Sequence, residues 1–314
     1  IGDNTFSSCI SLLEVDIPST VTSIGDYCFE NCSSFLRVKI PDSIISIGKG
    51  SFYNCRSLKK VSISSNLSMI KEFSFNFCIS IKKIIIPSSV KSIGKDSFAS
   101  CNSLFEITIP SSVTSIGKNS FNRCISLVKI TFPSSLKLIG SNCFNGCSSL
   151  SEIEIPSSVT NIYESTFMNC SSLKSVKFHS SIKFIGFSCF ENCTSLDNVI
   201  IPSSMTTIEN RLFSGCSSLK HIEISSSVTI IDKCAFDNCT SLVEIVIPSS
   251  VTTIKRHAFS GCTSLVKATI LNPFITLKST AFYNCPQLAK VVVPFIFRKN
   301  VNAILGNNIE VEYI

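Results

Sequence analysis

Apolar residues fall in fixed columns along this chain. In Leu104-x-x-Ile107-x-Ile109 the last positions alternate with polar neighbours, and the spacing recurs at Leu12-x-x-Val15-x-Ile17 and Leu242-x-x-Ile245-x-Ile247. Such alternation is the period of a half-buried strand. Pro follows in most copies (Pro18, Pro41, Pro87, Pro110, Pro133, Pro156, Pro202, Pro248), and its missing N–H should end the strand there. Next, Val113-x-x-Ile116 turns two more apolar residues inward, and Gly117 is expected to permit a backbone turn. The following segment ends in F-x-x-C, which predicts a short helical turn carrying Phe121 and Cys124 into the core.

The whole pattern repeats. Phe stands at 6, 29, 52, 75, 98, 121, 144, 167, 190, 213, 236, 259 and 282, with Cys three residues later each time, an unbroken period of 23. A period of 20 to 29 with apolar columns marks a leucine-rich solenoid, whose turns cannot bury their faces alone and must stack. Internal repetition therefore overrides the two-domain expectation that 314 residues would suggest. A second-order repeat is superimposed. ITFPSSLKLIGSNCFNGC at 130–147 and VKFHSSIKFIGFSCFENC at 176–193 share a strand-end Phe, Lys137 with Lys183, and Cys143 with Cys189, which points to a 46-residue duplication.

The columns resemble the BspA-like, or Treponema-type, leucine-rich repeats with their L-x-x-I-x-I-P-x-S-V-x-x-I-G-x-x-x-F-x-x-C pattern. The resemblance covers residues 1–293 and departs only locally: His179 and Ser225 replace Pro, Ile81 and Phe35 replace Leu, and Ala268 thins one core column. It implies a right-handed superhelix of about thirteen 23-residue turns. The parallel β-sheet would lie on the concave face, with short strands and helical turns on the other side. The resemblance further implies a non-enzymatic module, commonly the ectodomain of a surface adhesion protein, that binds host or cell-surface macromolecules. An intracellular scaffold of the same fold is the alternative.

The ends differ from the repeats. Ile1 enters in mid-turn, which leaves an apolar edge unless more repeats or a cap precede it. Residues 294–314 break the period and are expected to cap the last turn, with VEYI after Gly306-Asn307-Asn308 as the covering strand.

Composition narrows the class. Hydrophobic residues make up 44 % of the chain, with 24 Phe and no Trp, too rich for disorder, yet no apolar run reaches the roughly 18 residues of a membrane span. The 17 cysteines raise the question of disulfides or metal. Thirteen belong to the F-x-x-C column, and parallel Cβ vectors on stacked turns suit a disulfide poorly, so these thiols are expected to be small apolar core residues. Cys28, Cys143, Cys189 and Cys234 lie outside that column, and His179, His221 and His257 occupy three different columns, so no metal and no cofactor is expected. A catalytic triad, a nucleophile elbow and H-E-x-x-H are absent, and the Gly48-Lys49, Gly94-Lys95 and Gly117-Lys118 pairs lack the remainder of a P-loop. Sequons at Asn31, Asn169, Asn192 and Asn238 fall within the repeat as N-C-S/T and are expected to serve tight turns rather than glycans; a fifth is at Asn66.

A solenoid recognises partners through outward positions that vary against a constant core. The candidate partner-binding residues are therefore the outward strand positions Arg37, Lys39, Lys60, Lys83, Ile85, Lys129, Glu152, Glu154, Lys177, Glu223 and Glu244. Between residues 36 and 95 stand eleven Lys/Arg and two acids, a local +9 in a chain of net +7. Arg37, Lys60 and Lys83 share one column on successive turns, which predicts an anion-binding patch for an acidic protein, a sulfated glycan or an anionic surface. Nucleic acid is not expected, since no recognition motif accompanies the charge. Extracellular-matrix or host surface components are the expected partners, and the cell surface or the secreted space is the expected location, with the cytoplasm as the alternative.

Overall fold

The computed structural model describes residues 1–297 and 309–314. It divides into two compact units, Ile1–Val159 and Thr160–Ile314, each a parallel β-solenoid. In the first unit the predicted strands pair one turn to the next. Glu14–Val15, Arg37–Lys39 and Lys60–Ser62 form one parallel ladder, and Glu106–Thr108 pairs with Lys129–Thr131. The register is always one repeat, as in Glu14↔Arg37 and Arg37↔Lys60, because any other register would take the Ile and Val columns out of the core. A second ladder comes from V-x-x-I: Met69–Ile70, Ser92–Ile93, Ser115–Ile116 and Leu138–Ile139 pair in series.

The second unit repeats this plan. Thr207–Ile208, Ile230–Ile231, Thr253–Ile254 and Thr276–Leu277 make the short-strand ladder. Glu244–Ile247, Lys267–Ile270 and Lys290–Val293 make the other, and Glu310–Tyr313 adds to its edge in parallel. VEYI thus joins the edge of this ladder, and Lys290 Nζ lies 2.5 Å from Glu312 Oε2. The Gly306-Asn307-Asn308 turn lies outside the described residues.

Phe rings form the core. From Phe6 to Phe144 each ring stacks on the next at centroid distances of 5.1–5.5 Å, with planes within 9°. In the second unit Phe167 to Phe282 stack at 5.1–5.8 Å. The strand-end Phe132 and Phe178 of the 46-residue duplication pack at an angle on Phe144 and Phe190, and Phe35, in place of Leu, stacks on Phe29.

Three expectations need correction. First, the F-x-x-C segment is not helical; the one helical piece among the described residues is the 3-10 turn Phe295–Phe297. Around Phe121, β-turns close through Asn122 N–H to Asn119 O and Cys124 N–H to Phe121 O, while Asn119, Phe121 and Arg123 donate to Ser141, Cys143 and Asn145 of the next turn. A helix would have kept those donors within its own turn. Left-handed residues on either side of each Phe from Phe6 to Phe259 redirect them: Asn119 (φ 56°) and Arg123 (φ 58°) here, Ser165 and Asn169 in the second unit.

Second, Gly117 is not left-handed. Its missing side chain answers to close stacking, since a Cβ would sit 2.7 Å from Lys95 N and 2.8 Å from Gly94 C. The left-handed column two residues after Phe is instead filled mostly by Asn, Ser and Gly, including the sequon residues Asn31, Asn169, Asn192 and Asn238 at φ 58–60°. Arg123 is an exposed exception, so Arg123→Asn is expected to raise stability by roughly 0.5–1 kcal/mol. An unchanged urea midpoint would count against that strain.

Third, the column thiols are buried but not merely apolar. Cys124 Sγ donates to Phe98 O at 3.2 Å and Cys193 Sγ to Phe167 O at 3.2 Å, and the same contact recurs along both units. Each of these thiols ties its turn to the one before. Cys9 is exposed and Cys285 partly so; the rest are buried.

Candidate binding face

The outward face of the first ladder follows from strand alternation. In Arg37-Val38-Lys39, Val38 is 4 % exposed and both basic neighbours point to solvent. All eleven predicted residues are exposed. Five of them meet: Arg37, Lys39, Lys60, Lys83 and Ile85 line one groove of about 540 Å³. Val15, Val38 and Val61 also line it, and Glu14 and Asp16 stand at one end. Lys129, Glu152 and Glu154 lie on the same unit without lining this groove, and Lys177, Glu223 and Glu244 belong to the second unit.

Two contributors escaped the sequence reading. Lys59 and Lys82, in the position just before the strand, line the groove beside Lys60 and Lys83 and double the charge on those turns. Leu13 and Leu36, 56 % and 40 % exposed, give a neighbouring depression of about 370 Å³ an apolar wall. The signal was present in the period, because 13, 36, 59 and 82 form a column of their own.

The basic column is also less bare than its three residues suggest. Arg37 pairs with Glu14, and Lys83 Nζ lies 2.7 Å from Glu106 Oε1. The Arg37 hydrogen bond and charge hold Glu14 below the usual carboxylate range, and Lys83 does the same to Glu106. Both pairs are exposed and contribute little to stability. Lys60, between them, has no acidic partner within 4 Å among the described residues, and so the middle of the column holds the uncompensated charge. Among the described residues no three His, Cys, Asp or Glu side chains gather as metal ligands. No helix among them is long and apolar enough to cross a membrane.

Stacked 23-residue turns with two parallel ladders and an unvarying Phe/Cys core define a leucine-rich repeat solenoid. The chain belongs to the BspA type leucine rich repeat family, whose region model matches residues 1–124, 91–220 and 183–309. Among solved structures it is similar to a leucine-rich repeat protein from Bacteroides ovatus, at 28 % identity and a TM-score of 0.68, covering 96 % of this chain and 92 % of that one. A leucine rich cell surface protein from Faecalibacterium prausnitzii is 28 % identical with a TM-score of 0.61, covering 98 % and 86 %. The pneumococcal vaccine antigen PcpA, at 18 % identity and a TM-score of 0.60 over 100 % and 92 %, shares the fold. No protein of curated function matches the chain.

Proposed function

We propose that the chain is a non-enzymatic interaction module of a surface adhesion protein, and that it engages an anionic macromolecule, a sulfated glycan or an acidic protein surface, through the first ladder of its N-terminal unit. The observation that carries this reading is the groove in which Arg37, Lys39, Lys59, Lys60, Lys82 and Lys83 stand over a valine floor opposed by two acids. Like charges side by side on a sheet are unfavourable, so the fold gains nothing from this arrangement. A polyanion running across the turns would meet cations about 4.8 Å apart. A location at the surface of the cell is supported by the description of the Faecalibacterium protein.

The test is retention on immobilised heparin across a salt gradient. The wild-type chain should be retained and elute as salt screens the groove. The triple reversal Arg37→Glu, Lys60→Glu, Lys83→Glu should pass unretained, while Lys267→Glu, on the second unit, should elute with the wild type. Equal elution of wild type and triple variant would sink the reading.

A further inference from the structure

A second concavity, of about 360 Å³, lies on the turns of the first unit and shares no residue with the basic groove. Tyr27, Glu30, Tyr53 and Phe73 line it. We propose that these three rings and the Glu30 carboxylate form a binding site for an organic ammonium group of the trimethylammonium type.

The backbone supplies the first argument. Tyr27 (φ 51°) and Phe73 (φ 57°) occupy the left-handed column two residues before the core Phe, where Asn4, Asn119 and Asn142 stand on other turns of this unit. Large aromatic residues are poorly suited to that conformation, which recurs on every turn of the unit, so these two rings stand there against local preference. Neither ring serves the core, as both remain partly exposed. Between them in the same column is Gly50 (φ 57°), and a Cβ there would lie 2.4 Å from Tyr27 Cε1. The Tyr27 ring therefore lies across the Gly50 backbone. Tyr53, in the column that follows the core Phe, is set edge-on against Phe77 at 5.9 Å and 79°. Glu30 precedes Tyr53 in that column by one turn.

Electrostatics supply the second. Phe73 already attracts two ammonium groups, Lys49 Nζ at 5.4 Å and Lys95 Nζ at 5.6 Å from its centroid. Each has a carboxylate of its own, Glu72 at 3.6 Å and Asp96 at 3.8 Å. Glu30 has no ion-pair partner among the described residues. One turn beyond Tyr53 in its column, Asn76 is 6 % exposed and its Oδ1 accepts no hydrogen bond from any described residue. The lining thus offers three rings and one carboxylate with no ion-pair partner among the described residues, the combination that attracts a cation with little need of donors. A trimethylammonium group, bulky and unable to donate, fits that environment better than a primary amine or a sugar hydroxyl.

The chain has no Trp and five Tyr, so tyrosine emission reports two site residues directly. Choline chloride, titrated against sodium chloride of equal ionic strength, should change that emission saturably, and its neutral carbon isostere dimethylbutanol should bind at least about tenfold more weakly. Tyr27→Asn installs the residue favoured in that column and should fold as well as the wild type. Together with Glu30→Gln, it should weaken choline binding by about tenfold or more, while Lys95→Gln, which removes a competing cation from Phe73, should tighten it. Co-sedimentation with phosphatidylcholine vesicles separates the two sources of the group. Capture on vesicles assigns a lipid headgroup, and binding of free choline alone assigns a soluble ligand. Equal affinity for choline and dimethylbutanol, or unchanged binding in both Tyr27→Asn and Glu30→Gln, would overturn the site.

Discussion

Raising the pH from 7 to 10 is expected to unfold this protein, or to remove most of its stability, well before its lysines discharge. Fourteen thiols have no exposed surface, and ten of them, at 55, 78, 101, 124, 143, 189, 193, 216, 239 and 262, carry the effect. Burial pushes their pKa values up, that of Cys124 to about 12. The sign follows from linkage. The fold accepts the protonated thiol, so this contribution is whole below the unfolded thiol pKa of about 8.5 and is lost as pH climbs from there toward the folded values.

Each thiol then costs about 1.4 kcal/mol per pH unit, and ten of them on the order of 10 kcal/mol at one unit above the unfolded value, comparable with the total stability of a domain. Lysines keep their charge to about pH 10.4, which leaves a window where the thiols dominate. Urea midpoints at pH 7, 9 and 10 under reducing conditions check this. A midpoint independent of pH would mean that the thiols are not sealed in the core. At pH 7.5 a thiol reagent should modify Cys9 quickly and Cys285 slowly, and the others only on unfolding.

The second large effect belongs to the ring stack. Phe121 is fully buried between Phe98 and Phe144, at 5.4 and 5.5 Å. Phe121→Ala is expected to cost about 3–5 kcal/mol, from lost burial, the cavity left behind and two broken stacking contacts. Phe121→Leu should cost clearly less. Because each turn rests on its neighbours, the loss should appear as weakened cooperativity of the whole N-terminal unit in urea. An Ala variant within about 1 kcal/mol of wild type would show that neighbouring turns collapse onto the gap.

The period of 23 made the solenoid, its strands and its strand ends legible, since Val38, Ile107 and Ile245 can only be buried in one register. The edge strand Glu310–Tyr313 is legible for the same reason, as Val311 alternates with Glu310 and Glu312. The turn around Phe121 was misread as helical because an inward Phe and Cys three residues apart satisfy a helical period equally well. Only the left-handed Asn119 and Arg123 distinguish the two, and Arg has no preference that would announce such a conformation.

In the groove, sequence placed Arg37, Lys60 and Lys83 in one column, but it did not say which charges remain after pairing. That depended on the reach of Glu14 and Glu106 across one turn. The aromatic site was not anticipated at all. Tyr27, Glu30, Tyr53 and Phe73 occupy two columns on three turns, and nothing in a one-dimensional period brings them together.

What the amino-acid sequence determined by itself was whatever repeats: the stacking unit, its buried columns and its outward positions, because a contact that recurs every 23 residues imposes the same constraint on every copy. What only the tertiary structure decided was whatever the period leaves unspecified. Such positions include the unpaired Lys60, the thiol that bonds the previous turn's carbonyl, and the Tyr27 ring laid over Gly50. Each of these depends on neighbours about 5 Å away across the stack but 23 or 26 residues away along the chain, where side-chain size and charge, not period, settle the outcome.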